Sequence, residues 1–141
     1  MWSPKAKIWG PAPEPAIPNP PATFFDGSRL VVAYEIAPPK CGEHAIACFD
    51  GVIEFVLTSV NDEGLGRHRY ANAGLQFYSF HEIVNATEVA RYKALAPRMW
   101  VVTYKDNTLD VLARSLDFVS LDAPGTSAAQ ALASWLKQTS S

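Results

Sequence analysis

The sequence predicts an α+β fold that is mainly β: an antiparallel meander sheet curled into a half-barrel or small sandwich, with a short helix between strands and a C-terminal helix. Three observations predict it. Apolar and polar residues alternate with a period of two through several runs. Breaks of hairpin length, rich in Asp, Asn, Gly or Pro, separate those runs. Only two stretches show helical spacing behind a capping signal.

The clearest run lies between Met99 and Leu121, where two alternating segments flank Lys105-Asp106-Asn107-Thr108. A two-residue loop at Asp106-Asn107 would pair Tyr104 with Leu109, Val102 with Val111 and Trp100 with Ala113 on one apolar face. The opposite face would carry Lys105 with Thr108, Thr103 with Asp110 and Val101 with Leu112. A three-residue loop would oppose Lys105 to Leu109, so the pattern demands an even loop.

Earlier in the chain, Phe24-Phe25-Asp26-Gly27-Ser28 turns into a strand with Leu30, Val32, Tyr34 and Ile36 on one face, ended by Pro38 and Pro39. His44 to Phe49 leads into Asp50-Gly51, a strong local hairpin signal. That hairpin would pair Phe49 with Val52, Cys48 with Ile53, Ile46 with Phe55 and His44 with Leu57. Leu75 to Val84 is expected as a central strand, with Phe77, Ser79 and His81 opposite Gln76, Tyr78 and Phe80. Six strands follow from this reading.

Asn85-Ala86-Thr87-Glu88 has capping-box spacing with Asn85 at the cap, opening a short helix striped by Val89, Tyr92 and Leu95 or Ala96 and stopped by Pro97. Ser127-Ala128-Ala129-Gln130 is a second capping box. Its helix would turn Ala128, Ala131, Leu132, Trp135 and Leu136 inward and plug an open side or cover an edge of the sheet.

Two regions divide the chain. Residues 1–23 form an arm holding seven of the eleven prolines, which favours an extended path over any regular strand or helix. Trp2, Ile8, Trp9 and Ile17 punctuate it, so the arm is expected to lie in a groove on this subunit or a neighbour, with Trp2 and Trp9 as interaction residues. Residues 24–141 are expected as one β-rich domain carrying the C-terminal helix.

Composition excludes some roles. With 48% hydrophobic and 18% charged residues the chain reads as globular, and a net charge of −2 offers no overall footprint for nucleic acid. No apolar run approaches the length of a membrane helix and no secretory signal opens the chain, so a cytoplasmic location is the default expectation. Cys41 and Cys48 read as free thiols, because an extended run between them would hold them far beyond disulfide reach.

The richest candidate site is the polar stretch 61–74, which within ten residues gathers Asn61, Asp62, Glu63, Arg67, His68, Arg69 and Tyr70, with two glycines giving it freedom to fold back. An acid beside a histidine can do acid–base work, and two arginines on a flexible loop can hold a carboxylate or phosphate. The plainer reading is a solvated loop in which Asp62 and Glu63 pair with Arg67 and Arg69. His81, on the expected central strand, reads either as a ligand-binding residue or as a hydrogen-bonded core histidine. Cys41, His44 and Cys48 have a C-x2-H-x3-C spacing, but a strand would carry them apart, so neither a metal nor another cofactor is expected. No phosphate-binding loop or nucleophile elbow occurs, and no catalytic residue is assignable. Trp100, Tyr104, Phe77, Phe80, Tyr78 and Phe118 would line a pocket or fill a core.

The segments NDEGLGRHRY, LQFYSFHEIVNA and MWVVTYKDNTLDVLA, at their spacing here, resemble a small bacterial domain family without assigned activity. That resemblance spans about His44 to Arg114 and implies a bacterial, soluble, stand-alone β-rich domain; it transfers no functional residue. Domains of this size and style include immunity and accessory partners, which is analogy alone. The functional expectation is therefore a non-enzymatic binding or protein-interaction domain, partnered by itself as a homo-oligomer or by another protein, with neither nucleic acid nor membrane. The alternative is a small-ligand or hydrolytic pocket built on the 61–70 loop.

Overall fold

The structure, a computed structural model, describes residues 3–16, 19–37, 43–122 and 126–139. Nine strands among the described residues form two antiparallel sheets. The strands are β1 (Lys5–Ile8), β2 (Ala22–Phe25), β3 (Leu30–Glu35), β4 (Glu43–Asp50), β5 (Glu54–Thr58), β6 (Phe80–Val84), β7 (Arg98–Thr103), β8 (Thr108–Ala113) and β9 (Ser115–Asp122). One sheet runs β1-β6-β7-β8-β5 and the other β2-β3-β4-β9. The helices are α1 (Thr87–Arg91) and α2 (Ala128–Thr139).

Alternation puts the core between the sheets. Leu30, Val32 and Tyr34 of β3, Ala45, Ala47 and Phe49 of β4, Trp100 and Val102 of β7 and Leu109, Val111 and Ala113 of β8 form one buried cluster, joined by Phe80, Tyr104 and Leu116. Trp100 is fully buried and meets Phe49 edge-on at 5.8 Å. Burying a large apolar side chain contributes about 2–3 kcal/mol, and this cluster is the main source of stability. The aromatics Trp100, Tyr104, Phe80 and Phe118 fill this core, whereas Phe77 is exposed and Tyr78 lies outside the cluster.

The β7–β8 hairpin keeps the expected faces but not the expected pairs. Val102 sits opposite Leu109, Trp100 opposite Val111 and Arg98 opposite Ala113, two positions from the predicted register. The Tyr104 amide donates to the Asn107 carbonyl at 2.9 Å, so the two-residue loop is Lys105-Asp106 rather than Asp106-Asn107. A slip of two preserves parity, which is why the apolar face survives.

The fold is mainly β as expected, and meander connectivity holds for β2-β3-β4 and β6-β7-β8 but gives way to crossovers elsewhere. Asp50-Gly51 does not close a hairpin: β4 pairs with β3 and β9, while β5 pairs with β8 in the other sheet. At Gly51 (φ +63°) the chain turns from one sheet to the other, with the Val52 amide donating to Ser28 and the Arg114 amide to Asp50, both at 2.9 Å. A two-residue turn signal reports only local backbone geometry; burial chose the strand partner.

The Pro-rich arm is also more regular than its composition suggests. Lys5 to Ile8, between Pro4 and Pro11, pairs with β6 as an edge strand, where only one side needs amide donors. The arm then crosses from sheet to sheet on its own subunit. Trp9 donates its amide to Phe80 at 2.8 Å and stacks edge-on with Trp100 at 5.8 Å, Tyr34 donates its hydroxyl to the Pro13 carbonyl at 2.7 Å, and Pro15 bridges Ile36. Trp2 and Cys41 lie outside the described residues. Cys48 is a buried free thiol.

The Ser127 capping box forms as expected: its hydroxyl accepts from the Gln130 amide at 3.1 Å and its amide donates to the Gln130 side chain at 2.8 Å. α2 does not plug an open end; it lies across β3 and reaches the edge strand β2. Ala128, Leu132, Trp135 and Leu136 instead cover the outer face of the second sheet, against Val31, Ala33, Ile46 and Cys48. The other capping box does not form. Asn85 has φ +63°, the cap position falls at Ala86 with no side-chain bond, and α1 is only Thr87–Arg91. Val89 and Tyr92 pack inward, but Leu95 and Ala96 are exposed. No described helix is long and apolar enough to cross a membrane.

Candidate functional site

The outer face of the first sheet would expose Ile83, Met99, Val101 and Leu112 if nothing covered it. The segment 61–73 folds back over that face as two short 3₁₀ turns, Asp62–Arg67 and Ala71–Ala73, burying Leu65 and Tyr70. Asn61 starts the first turn by accepting from the Gly64 amide at 2.8 Å, and the Asp62 amide donates to Lys105 at 2.8 Å.

Beneath this cover lies a polar network. Asp110 projects from the middle of β8, and its two oxygens lie 2.8 and 3.0 Å from His68 Nε2. His68 Nδ1 accepts from the Tyr70 amide at 2.9 Å, so that nitrogen carries no proton and the ring proton sits on Nε2, facing Asp110. Arg69 reaches Asp110 at 3.2 Å and Glu88 of α1 at 2.7 Å, while lying 5.3 Å above the Tyr70 ring. Glu88 is 2% exposed. One of its oxygens accepts from the Tyr70 hydroxyl and from Thr87 Oγ1; the other has only the charge of Arg69 beside it, without a well-angled hydrogen bond.

Burial alone would push the Glu88 carboxyl up, yet the Tyr70 hydroxyl, its own backbone amide and the Arg69 guanidinium hold it below the ordinary carboxylate value. Burial, with Glu88 next in effect, raises the Tyr70 phenol. The network thus keeps a charged carboxylate under a loop, stitching 68–70 to β8 and α1.

Of the sequence candidates, His68 and Arg69 converge, and they do so on Asp110 and Glu88 rather than on Asp62 and Glu63. Asp62 accepts from the Tyr78 hydroxyl at 2.7 Å, which holds Tyr78 at φ +54°, and also from the Glu63 amide at 2.8 Å. Glu63 and Arg67 are exposed. The expected loop-internal pairing of Asp62 and Glu63 with Arg67 and Arg69 is therefore corrected: α1 offers Arg69 the buried Glu88 and β8 the largely covered Asp110, carboxylates that need a partner more than exposed ones do.

His81 lies apart from the network and fully buried on β6. Its Nδ1 donates to the Val101 carbonyl at 2.9 Å and its Nε2 accepts from the Gln76 amide at 2.9 Å, and burial lowers its pKa. It is a hydrogen-bonded core histidine. The strand expected from Leu75 begins only at Phe80, so Phe77 and Ser79 do not share a sheet face with it.

Asp110 and Glu88 were not among the sequence candidates, and Tyr70 was gathered with the polar stretch but given no role of its own. Asp110 had a readable signal, a lone acid in the alternating run Thr-Leu-Asp-Val-Leu on a face that needed cover. Glu88 was masked by its place in a capping box that does not form.

A histidine acting as a general base needs a free nitrogen lone pair within reach of a substrate proton. The one on His68 is occupied by a backbone amide, as is the one on His81. The cleft beside the loop, about 390 Å³, is lined by Asp62, Glu63, Leu65, Gly66, Ala71, Leu75 and Phe77, not by His68, Arg69 or Asp110. Among the described residues no three His, Cys, Asp or Glu side chains converge as metal ligands.

Large apolar side chains are exposed at several places, Ile8, Phe77, Leu95 and Val119 among them, and a further group gathers on one side of the sandwich. β5 and β2 are edges of the two sheets on the same side of the sandwich, where Phe25 meets Phe55 edge-on at 4.9 Å. Phe24, Phe25, Val56 and Leu57 are 45, 42, 51 and 39% exposed there. No protein-family model, curated protein or solved structure matches the chain.

Proposed function

We propose that this chain is a non-enzymatic protein-interaction domain whose working surface is the β2/β5 side. The observation that carries this reading is that the two sheet edges lacking protection lie together. Natural edge strands are blunted by lysines, prolines, charges or covering elements. β1 carries Lys5 and Lys7, and β9 carries Asp117 and Asp122. β2 (Ala-Thr-Phe-Phe) carries no charge at all, and β5 (Glu-Phe-Val-Leu-Thr) runs three apolar residues together with one charge at its end. Exposed aromatic and aliphatic side chains beside open backbone groups suit strand addition by a protein partner.

The polar network supports the same reading from the other direction, since its histidine and carboxylates are spent on holding the loop. The test sets interaction against hydrolysis. Incubated with p-nitrophenyl acetate, the full chain is expected to turn the ester over no faster than its unfolded form, with His68→Ala unchanged. Saturable turnover that disappears in His68→Ala would overturn the proposal.

A further inference from the structure

We infer that the partner received at β5 is a second copy of this chain, paired antiparallel through a two-fold axis at Val56; this rests on the interaction reading above. The register is worked from the strand itself. With Val56 opposite Val56 of the second copy, Phe55 faces Leu57 and Glu54 faces Thr58. Apolar meets apolar, and no like charges stand opposite each other. The two-fold is perpendicular to the sheet, so inner faces stay with inner faces. Phe55 and Leu57, which lie across from Val111 and Leu109 on the core side, continue the core face into the second copy. Val56 lies across from Asp110 on the outer face.

The same operation fails on the opposite edge of that sheet. Centred on Ala6, β1 would set Lys5 against Lys7 of the second copy. Because the axis keeps both second sheets on one side, the β2 edges also approach, bringing the exposed Phe25 and Leu57 of each copy toward the shared seam. Ten strands of the first sheet would then run continuously across the pair.

Sedimentation velocity and light scattering on the full chain, from about 1 to 100 μM, test this. The expected result is a species of twice the chain mass. Val56→Lys, at a half-exposed position with Asp110 across from it, keeps the far-UV circular dichroism of the folded chain but opposes two like charges at the axis. It is expected to raise the dimer dissociation constant about tenfold or more. Mixing Val56→Lys with Val56→Glu restores the dimer if position 56 faces itself. Val56→Cys is expected to cross-link under mild oxidation, with the bridge mapped to position 56, because directly opposed residues sit at disulfide-compatible spacing. A wild-type chain that stays monomeric overturns the inference in favour of a foreign strand on the same edge, while the ester assay separately decides the interaction reading. A dimer indifferent to Val56→Lys, without cross-linking at position 56, overturns it by placing the contact elsewhere.

Discussion

Replacing Asp110 tests whether the network under the 61–73 segment is what fastens it. In Asp110→Ala, His68 Nε2–H loses both of its acceptor oxygens while the ring stays almost covered, its side chain only 8% exposed. A buried donor left without a partner costs about 1–3 kcal/mol. Arg69 loses a 3.2 Å contact, but with its side chain 48% exposed and Glu88 still beside it that contact is screened, contributing about 0.5 kcal/mol. The expected total is about 1.5–3.5 kcal/mol, read as a lower urea midpoint at constant slope. Asp110→Asn leaves an acceptor for His68 and is expected to cost about 1 kcal/mol. Paired with His68→Ala in a double-mutant cycle, Asp110→Ala should show a coupling of about 1–2 kcal/mol. Amides of 62–73 should exchange faster while those of β7 and β8 keep their protection. An Asp110→Ala protein within about 0.5 kcal/mol of wild type, or a vanishing coupling, would refute the reasoning.

Glu88 makes stability pH-dependent with a definite sign. Its folded pKa lies below the ordinary value of 4.5, so its contribution is complete above that pH and is lost as pH falls through the folded value. The stability difference between wild type and Glu88→Gln, from urea melts between pH 7 and about 3, should therefore be largest near neutrality and shrink below about 4.5. Gly51→Ala should cost about 1–2 kcal/mol for the left-handed backbone. A further steric part arises because a Cβ there would lie 2.7 Å from Arg114 Cδ and 2.8 Å from its Cγ; Arg114→Ala in the same chain should remove those contacts in thermal melts, leaving the backbone part and the 3.1 Å approach to the Arg114 Cβ.

What the sequence made legible was face, and what it hid was partnership. Parity is a local property: Trp100, Val102 and Tyr104 share a face whatever strand lies beside them, so the core was readable even with the hairpin register two residues out. The Ser127–Gln130 box was readable because both its bonds close within three residues. By contrast, β5 lies beside β8 and β1 beside β6, contacts between segments about fifty and about eighty residues apart, and no nearby residue encodes them. The candidate site follows the same division. His68 and Arg69 stood out as chemistry-bearing residues, but the carboxylates that hold them come from β8 and α1, brought into reach only by the packed sheet.

Once both sheets are in place, the distribution of covering elements bears directly on function. The outer face of the second sheet needs an apolar cover, and α2 supplies Ala128, Leu132, Trp135 and Leu136. The outer face of the first sheet is closed by 61–73 and α1, fixed by charge and hydrogen bonds instead, because Asp110 interrupts its apolar surface. The arm supplies β1 along the side of β6 and then crosses to the end of β3. These covers are distributed over two faces and one edge, and among the described residues nothing covers the side where β2 and β5 meet. Phe25, Val56 and Leu57 stand open at this side, as Ile8, Phe77, Leu95 and Val119 do elsewhere; what sets it apart is that two sheet edges with little charge meet there, and that coincidence is what supports the proposed role in strand addition.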